Sequence, residues 1–466
     1  MSYSIKGVDF VAISLLLGFL AGTITGIVKG IGIEVFITYI EFEAILIIMS
    51  MSIITKIAQD SNILEYIAVK LFKISRGDQR LFFYLLCAIT TLLASVISDV
   101  VVVLILAPVV IRLCHFLKIR AGTYLLGMTI CINIGSIITP FSSGENIIIS
   151  TAFNLDTLYF IENFWLFSFF LLLSTIFLID MILMRREPKI ELQQKRFVMD
   201  LIDADVMIKS KRMFYINSIG IIIVIALFAI LPLLYLTAII SAMILVLINA
   251  KYTKKQMKNL LGDIEWEIIF FFIALYIVIG CLLEAGFRDI FANIAFEQFH
   301  PIVLAFIILI LVSLISGFVA NTPTALIFIP IISTLIEGFG FEATPLFFAF
   351  IIGINLGGNI IPQGAACDIM TLKIAEDSGV ENLNYKRLLK VGATFALIHI
   401  GLSSIYLFLM ILIPEWVGVI LAVVLPSFFI FVAYTFIRDK DKVVAPQNTL
   451  KFTLFNKFNK RKNKIK

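Results

Sequence analysis

Charged side chains are scarce in this 466-residue chain, at 15% of residues, where an ordinary soluble domain carries roughly 25%. With 61% of residues hydrophobic, apolar runs of ~20 residues recur from end to end, more than a water-soluble core can hide. A soluble enzyme, a disordered chain and a secreted disulfide scaffold are all excluded. Histidine is nearly absent: His115, His300 and His399 are scattered and HExxH is missing, so no metal centre is expected. The five cysteines, Cys87, Cys114, Cys131, Cys281 and Cys367, sit singly in apolar stretches without CxxC spacing, which supports neither a disulfide framework nor a zinc site. No obvious AxA cleavage site follows the first apolar run, Val8 to Ile27, so that run reads as a retained span. The formal net charge is +5, yet ten basic residues crowd the tail from Arg438 to Lys466 beside only Asp439 and Asp441. That is the pattern of a cytoplasmic flank, and no nucleic-acid partner is expected.

What is present is the pattern of an all-α polytopic membrane protein. Runs of spanning length fall at about 8 to 28, 43 to 59, 121 to 153, 158 to 184, 213 to 231, 233 to 249, 266 to 283, 343 to 372, 391 to 413 and 416 to 437. Two further runs are interrupted in the middle. The first, at 80–116, breaks at Ser98-Asp99 and has Arg76 and Arg80 before it and Arg112, His115, Lys118 and Arg120 behind, which puts both its ends in the cytoplasm. A re-entrant helical hairpin fits, because irregular polar backbone at membrane depth is tolerated where it lines a protein cavity. The second, at 301–337, breaks at Ala320-Asn321-Thr322-Pro323 and lacks basic flanks, so it is expected to enter from outside. The loop 185–212 carries eight Lys/Arg mixed with Glu187, Glu191, Asp200, Asp203 and Asp205, the composition of a solvated cytoplasmic linker. About ten spans plus two hairpins, with both termini cytoplasmic, satisfy every charge anchor.

The chain also resembles itself. Asp99 and Asn321 are 321 − 99 = 222 residues apart, and Pro108 and Pro330, Asn133 and Asn355, Gly135 and Gly357, and Pro140 and Pro362 share that spacing. Basic residues mark an amphipathic segment in the first half (Lys70, Lys73, Arg76) and are missing from Ile290 to Phe299 in the second, so the halves are expected to be inverted. The expected organisation is a first inverted repeat at 1–184 with its hairpin at 80–116 and a broken span at 121–153, the linker 185–212, a second repeat at 213–413 with its hairpin at 301–337 and a broken span at 343–376, and a last span with basic tail at 414–466. Inverted repeats with broken helices at the bilayer midplane are the architecture of secondary transporters.

The breaks carry the chemistry. Ser98-Asp99 and Asn321-Thr322-Pro323 are N-cap residue types preceding apolar helices, with Pro323 suited to the first helical position. The broken spans read Asn133-Ile-Gly-Ser-Ile-Ile-Thr-Pro-Phe-Ser-Ser-Gly-Glu-Asn146 and Asn355-Leu-Gly-Gly-Asn-Ile-Ile-Pro-Gln-Gly-Ala-Ala-Cys-Asp368, where glycine and proline free backbone groups inside a span. Four half-helix N-termini are then expected to converge, each worth roughly half a positive charge. Ser142-x-x-Glu145 has the form of a capping box, which competes with a binding role for that glutamate. Asp99 and Asp368 stand at membrane depth, where an uncompensated charge costs at least about 2.5 kcal/mol, so both are expected to hold a cation or proton. The Phe270–Phe272 and Phe347–Phe350 stripes are expected to pack or to face lipid.

At these residues the sequence resembles the ion transporter superfamily of arsenite permeases, sodium/proton antiporters, citrate-type carriers and divalent-anion symporters. Gly353-Ile-Asn-Leu-Gly-Gly-Asn-Ile-Ile-Pro-Gln-Gly-Ala-Ala-Cys-Asp368, continuing to Gly379, is similar to the superfamily's second-repeat signature, and Asn133 to Asn146 to its first. Ser98-Asp99-Val100 stands where a Ser-Asn-Thr tip marks the dicarboxylate branch. The resemblance implies scaffold and transport units, hairpin tips meeting at a central site, elevator-type alternating access and a homodimer in the plasma membrane. Expected substrate- and ion-binding residues are Ser98, Asp99, Asn133, Gly135, Ser136, Thr139, Ser142, Ser143, Glu145, Asn146, Asn321, Thr322, Thr324, Asn355, Gly357, Gly358, Asn359, Gln363, Gly364 and Asp368. No cofactor is expected beyond sodium or a proton as coupling ion. The leading expectation is a carrier for a small anion, of carboxylate or oxyanion type, driven by a sodium or proton gradient. Cation/proton antiport is the alternative, since no Arg or Lys stands at the breaks and the nearest is Lys373. An intramembrane aspartyl hydrolase using Asp99 and Asp368 needs no duplication, and a passive channel needs no paired hairpins.

Overall fold

In the computed structural model, residues 10–188, 204–208, 210–231, 233–253, 266–286 and 298–413 are described, with a few isolated positions besides. The chain opens with α1 (Phe10–Lys29) and a short α2 (Ile33–Thr38), followed by α3 (Phe42–Asp60) and α4 (Ile63–Ile74). Asn62, in the left-handed conformation at φ 56°, turns the chain between α3 and α4; asparagine tolerates that region better than most residues. The α4 helix buries Leu64, Ala68, Val69 and Phe72 on one side, the spacing of an amphipathic surface helix.

The interrupted run at 80–116 is a helical pair. Its arms are α5 (Gln79–Ala94), whose N-terminus is capped by the Asp78 carboxylate accepting from the Arg80 and Leu81 amides, and α6 (Asp99–Leu117). The first broken span comprises α7 (Gly122–Gly135) and α8 (Gly144–Phe153), and α9 (Thr157–Ile182) completes this half. Beyond the linker come α10 (Lys211–Ile230), α11 (Leu234–Thr253) and α12 (Trp266–Glu284). The second helical pair is α13 (Pro301–Val319) with α14 (Asn321–Ser333), extended by a π turn at Thr334–Gly338. The second broken span is α15 (Ala343–Gly357) with α16 (Ala366–Asp377), and α17 (Tyr385–Leu412) follows. The starts of α5 and α13, α6 and α14, and α8 and α16, and the ends of α7 and α15, all differ by the 222 residues that separate Asp99 from Asn321. Eight helices among the described residues are long and apolar enough to cross a membrane. Nearly all of the last expected span at 416–437, the basic tail, residues 290–297 of the Ile290–Phe299 segment and most of the linker lie outside the described residues.

Two apolar cores divide the helices. The larger gathers α4 to α9 and α13 to α17, where Phe348 stacks with Phe164 and packs on Phe167 and Tyr406. The smaller gathers α3, α10, α11 and α12, and receives Phe141, Ile147 and Ile148 of the first broken span and Leu326 of α14. Phe347 and Phe350 are packed in the larger core, while Phe270 is exposed and Phe272 buried. Phe141, between α7 and α8, reaches into the smaller core, where it stacks on Phe228 of α10 with ring centroids 4.5 Å apart.

Glycine sets the closest approaches in both halves. A Cβ on Gly135 would stand 2.3 Å from the Thr91 carbonyl oxygen of α5, and one on Gly357 would stand 2.4 Å from the Ser313 carbonyl oxygen of α13. In each half the outer arm of the helical pair thus lies directly on the broken span. Because the obstructing atom is backbone, Gly135→Ala and Gly357→Ala are each expected to cost about 1–3 kcal/mol through overpacking. Thermal unfolding in detergent checks this against Gly401→Ala, whose Cβ would meet open space and whose midpoint is expected to stay unchanged.

Candidate functional site

A cavity of about 600 Å³ lies where the two cores meet. The first residues of four helices line it: Asp99 of α6, Gly144 of α8, Asn321 of α14 and Ala366 of α16. The first amides of a helix have no intrahelical acceptor, and the aligned peptide dipoles leave partial positive charge there. Four such ends around one space favour an anion. Ser98, Ser142, Ser143, Thr322, Gln363 and Gly364 add hydroxyl, amide and backbone groups to the lining.

Three carboxylates and one ammonium group belong to the same lining: Asp99, Glu145, Glu267 and Lys56. The Val100 amide donates to Asp99 Oδ1 at 2.7 Å, and the Ser98 hydroxyl lies 3.4 Å from the same oxygen. Asp99 therefore occupies the start of α6, while Ser98, the N-cap residue by position, makes no side-chain cap bond.

Glu145 is not the second member of a capping box. The N-cap of α8 is Ser143, which accepts from the Asn146 amide, while Ser142 donates to the Ser136 and Thr139 carbonyl oxygens. The Glu145 side chain instead crosses to the other half and accepts from Asn321 Nδ2 at 3.0 Å. Asn321 also accepts from the Ser316 hydroxyl at 2.6 Å and donates its amide to the Gly364 carbonyl oxygen at 3.2 Å. Pro323 stands third in α14 rather than first, still within the turn whose amides lack partners. Before it, Ala320 is held at φ 89°, a conformation costing an alanine about 1–3 kcal/mol.

The remaining expected residues lie outside the cavity lining and fasten the two broken spans to each other and to the tips. Asn133 Nδ2 donates to Asn359 Oδ1 at 2.8 Å, and Asn355 Nδ2 donates to Asn146 Oδ1 at 3.0 Å. Asn146 Nδ2 reaches the Ser136 carbonyl oxygen, and Thr139 donates to the Ser95 carbonyl oxygen at 2.5 Å, holding the first tip. Thr324 bonds back to the Ala320 carbonyl oxygen, and Gly358 lies against the Asn321 side chain. Gly135 and Gly357 serve the close packing described above. Asp368 belongs to this group as well: it is 1% exposed and accepts from the Thr129 hydroxyl of α7 at 2.5 Å. It stands 222 residues from Asn146, as Cys367 does from Glu145 and Asn321 from Asp99. Each of these three related pairs holds one acid.

Sequence reasoning missed the opposite wall. Ser52, Thr55, Lys56 and Gln59 of α3 line the cavity, as does Glu267 of α12. The signal was a polar stripe at i, i+3, i+4 and i+7 in an otherwise apolar span, which places all four on one helix face.

The comparisons with known proteins agree with a transport architecture. The chain is 26% identical over 383 residues to an uncharacterized transporter of Mycobacterium bovis, covering 80% of this chain and 87% of that protein. It is 23% identical over 401 residues to an uncharacterized transporter of Synechocystis sp., covering 78% and 85%. The fold is similar to the crystal structure of the Alcanivorax borkumensis YdaH transporter, with a TM-score of 0.58 at 11% identity, covering 86% of this chain and 98% of that one. The profile of the citrate transporter family matches residues 3–353, running through both helical pairs and into the first arm of the second broken span; the chain belongs to that family of integral membrane transporters.

Proposed function

We propose that the protein is a secondary active transporter for a small carboxylate anion, driven by a sodium or proton gradient through elevator-like movement of the larger core against the smaller one. The observation that carries this reading is the gathering of four helix N-termini around one cavity between two cores. The ends supply amides and partial positive charge to the anion without requiring a basic side chain at the breaks. Asp99 and Glu145, placed beside the same N-termini, supply the negative charge that a coupling sodium ion or proton neutralises. The equal spacing of helix boundaries in the two halves supports the inverted repeat, and the protein is proposed to act as a plasma-membrane homodimer with cytoplasmic termini.

Uptake of radiolabelled citrate into proteoliposomes, with sodium and pH gradients imposed separately, tests the reading. One gradient is expected to drive accumulation that collapses when that gradient is dissipated. Cation/proton antiport is the second reading, favoured by three lining acids against one base. It predicts that sodium dissipates a pH gradient in the same vesicles with no anion present, and that citrate is not accumulated.

A further inference from the structure

The polar face of α3 belongs to the smaller core, and the proposed coupling chemistry at Asp99 and Glu145 does not use it. Lys56 is the one basic side chain among the described residues that line the cavity. A charged residue within a span is costly and marks a functional position by default. Beside it, Thr55 is 3% exposed, yet its hydroxyl oxygen has no hydrogen-bond partner among the described residues, although a buried hydroxyl normally has one. Ser52 and Gln59 extend the stripe above and below. A cation with hydroxyl and amide donors on one face is a set of groups suited to a carboxylate.

The position of the stripe gives it a direction. Lys56 stands four residues before the end of α3 at Asp60, about 6 Å of helical rise, and Glu267 is the second residue of α12. The cavity therefore reaches the membrane face where α3 ends and α12 begins. The basic residues Lys70, Lys73 and Arg76 that follow α3 assign this face to the cytoplasm.

We propose that the Lys56 face of α3 is a fixed station on the smaller core that receives the substrate's carboxylate on the cytoplasmic side only. This rests on the carboxylate-transport reading above. Because the station stays behind when the helix tips move, it meets the substrate in one end state and not in the other. Glu267, at the same mouth, repels the anion that Lys56 attracts.

Initial rates of radiolabelled citrate transport by the full-length protein, in inside-out and right-side-out membrane vesicles, test the proposal. Lys56→Gln is expected to raise KM about tenfold in inside-out vesicles, the loss of one charge-assisted contact, and to leave KM in right-side-out vesicles within about twofold. Lys56→Arg is expected to restore most of the affinity, and Glu267→Gln to lower KM in inside-out vesicles several-fold. Opposite shifts from two neutralised charges, confined to one face, are not produced by a damaged fold, which would lower the maximal rate on both faces alike. An unchanged KM in Lys56→Gln, or equal shifts on both faces, overturns the station while leaving carboxylate transport standing. If wild-type vesicles carry no citrate or other small carboxylate, the transport reading fails and the station with it.

Discussion

Asp99→Asn is expected to keep the fold and to lose gradient-driven transport. The wild-type carboxylate bonds the Val100 amide through Oδ1, and the asparagine Oδ1 accepts the same bond. Asparagine also matches aspartate at helix N-termini to within a fraction of the ~1 kcal/mol that such a position contributes. Expression and thermal stability are therefore expected to be preserved. The charge, however, is removed from a cavity where, on the proposed reading, it balances the coupling cation. Losing one charged ligand of about 2–3 kcal/mol corresponds to a fall in coupled uptake on the order of a hundredfold. Asp368→Asn supplies the contrast, because Asp368 is outside the cavity lining and its amide replacement still accepts from Thr129. Citrate uptake under separate sodium and pH gradients measures both variants. Unchanged ion dependence in Asp99→Asn would leave the aspartate as a helix-end residue and the N-termini alone as the anion site.

Tying the first broken span to α10 is expected to stop transport outright. Phe141, in the connection between α7 and α8, stacks on Phe228 of α10 at 4.5 Å between ring centroids, so cysteines at both positions can be bridged by a short bifunctional reagent that ties the first broken span to α10. The natural cysteines are all buried, and their replacement by alanine or serine gives a clean background. With the bridge in place the larger core cannot slide past α10, and uptake is expected to fall to background while citrate binding in detergent persists. Reversal on cleaving a reducible linker would show that immobilisation is the cause. Full uptake in a sample shown by mass spectrometry to be bridged would require a fixed pore instead of a moving core.

Where the chain breaks was legible in the sequence; what each break touches was not. Ser98-Asp99 and Ala320-Asn321 interrupt apolar runs, and the structure begins α6 and α14 at the second residue of each pair. Glycine, proline and cap-forming residues act through their own backbone, so a linear string displays them. Glu145 and Asp368 were ambiguous because both stand near the start of a short helix, and the choice between capping, lining the cavity and joining the halves depends on which helix face meets the other half. The repeat contained part of the answer: Asp368 corresponds to Asn146, an amide that fastens the broken spans, while Glu145 corresponds to Cys367. Lys56 was overlooked because a span is recognised by average hydropathy, and the four polar residues lower the mean of α3 below that of the other long helices without taking it out of the range of a span. The spacing i, i+3, i+4, i+7 would have exposed it, since a membrane helix with one polar face turns that face toward protein or water.

The three one-acid pairs make the two halves chemically unequal. A duplicated backbone with inverted halves, taken alone, would make outward and inward travel mirror images with equal energies at both ends of the stroke. Asp99 without a carboxylate at Asn321, Glu145 without one at Cys367, and Asp368 without one at Asn146 remove that equivalence. On the proposed reading, an ion at the first tip meets different neighbours from one at the second, and the two end states of the stroke are expected to differ in energy. On the same reading, such a preference sets the apparent affinities at the two faces, while the gradients alone fix the direction of net flux.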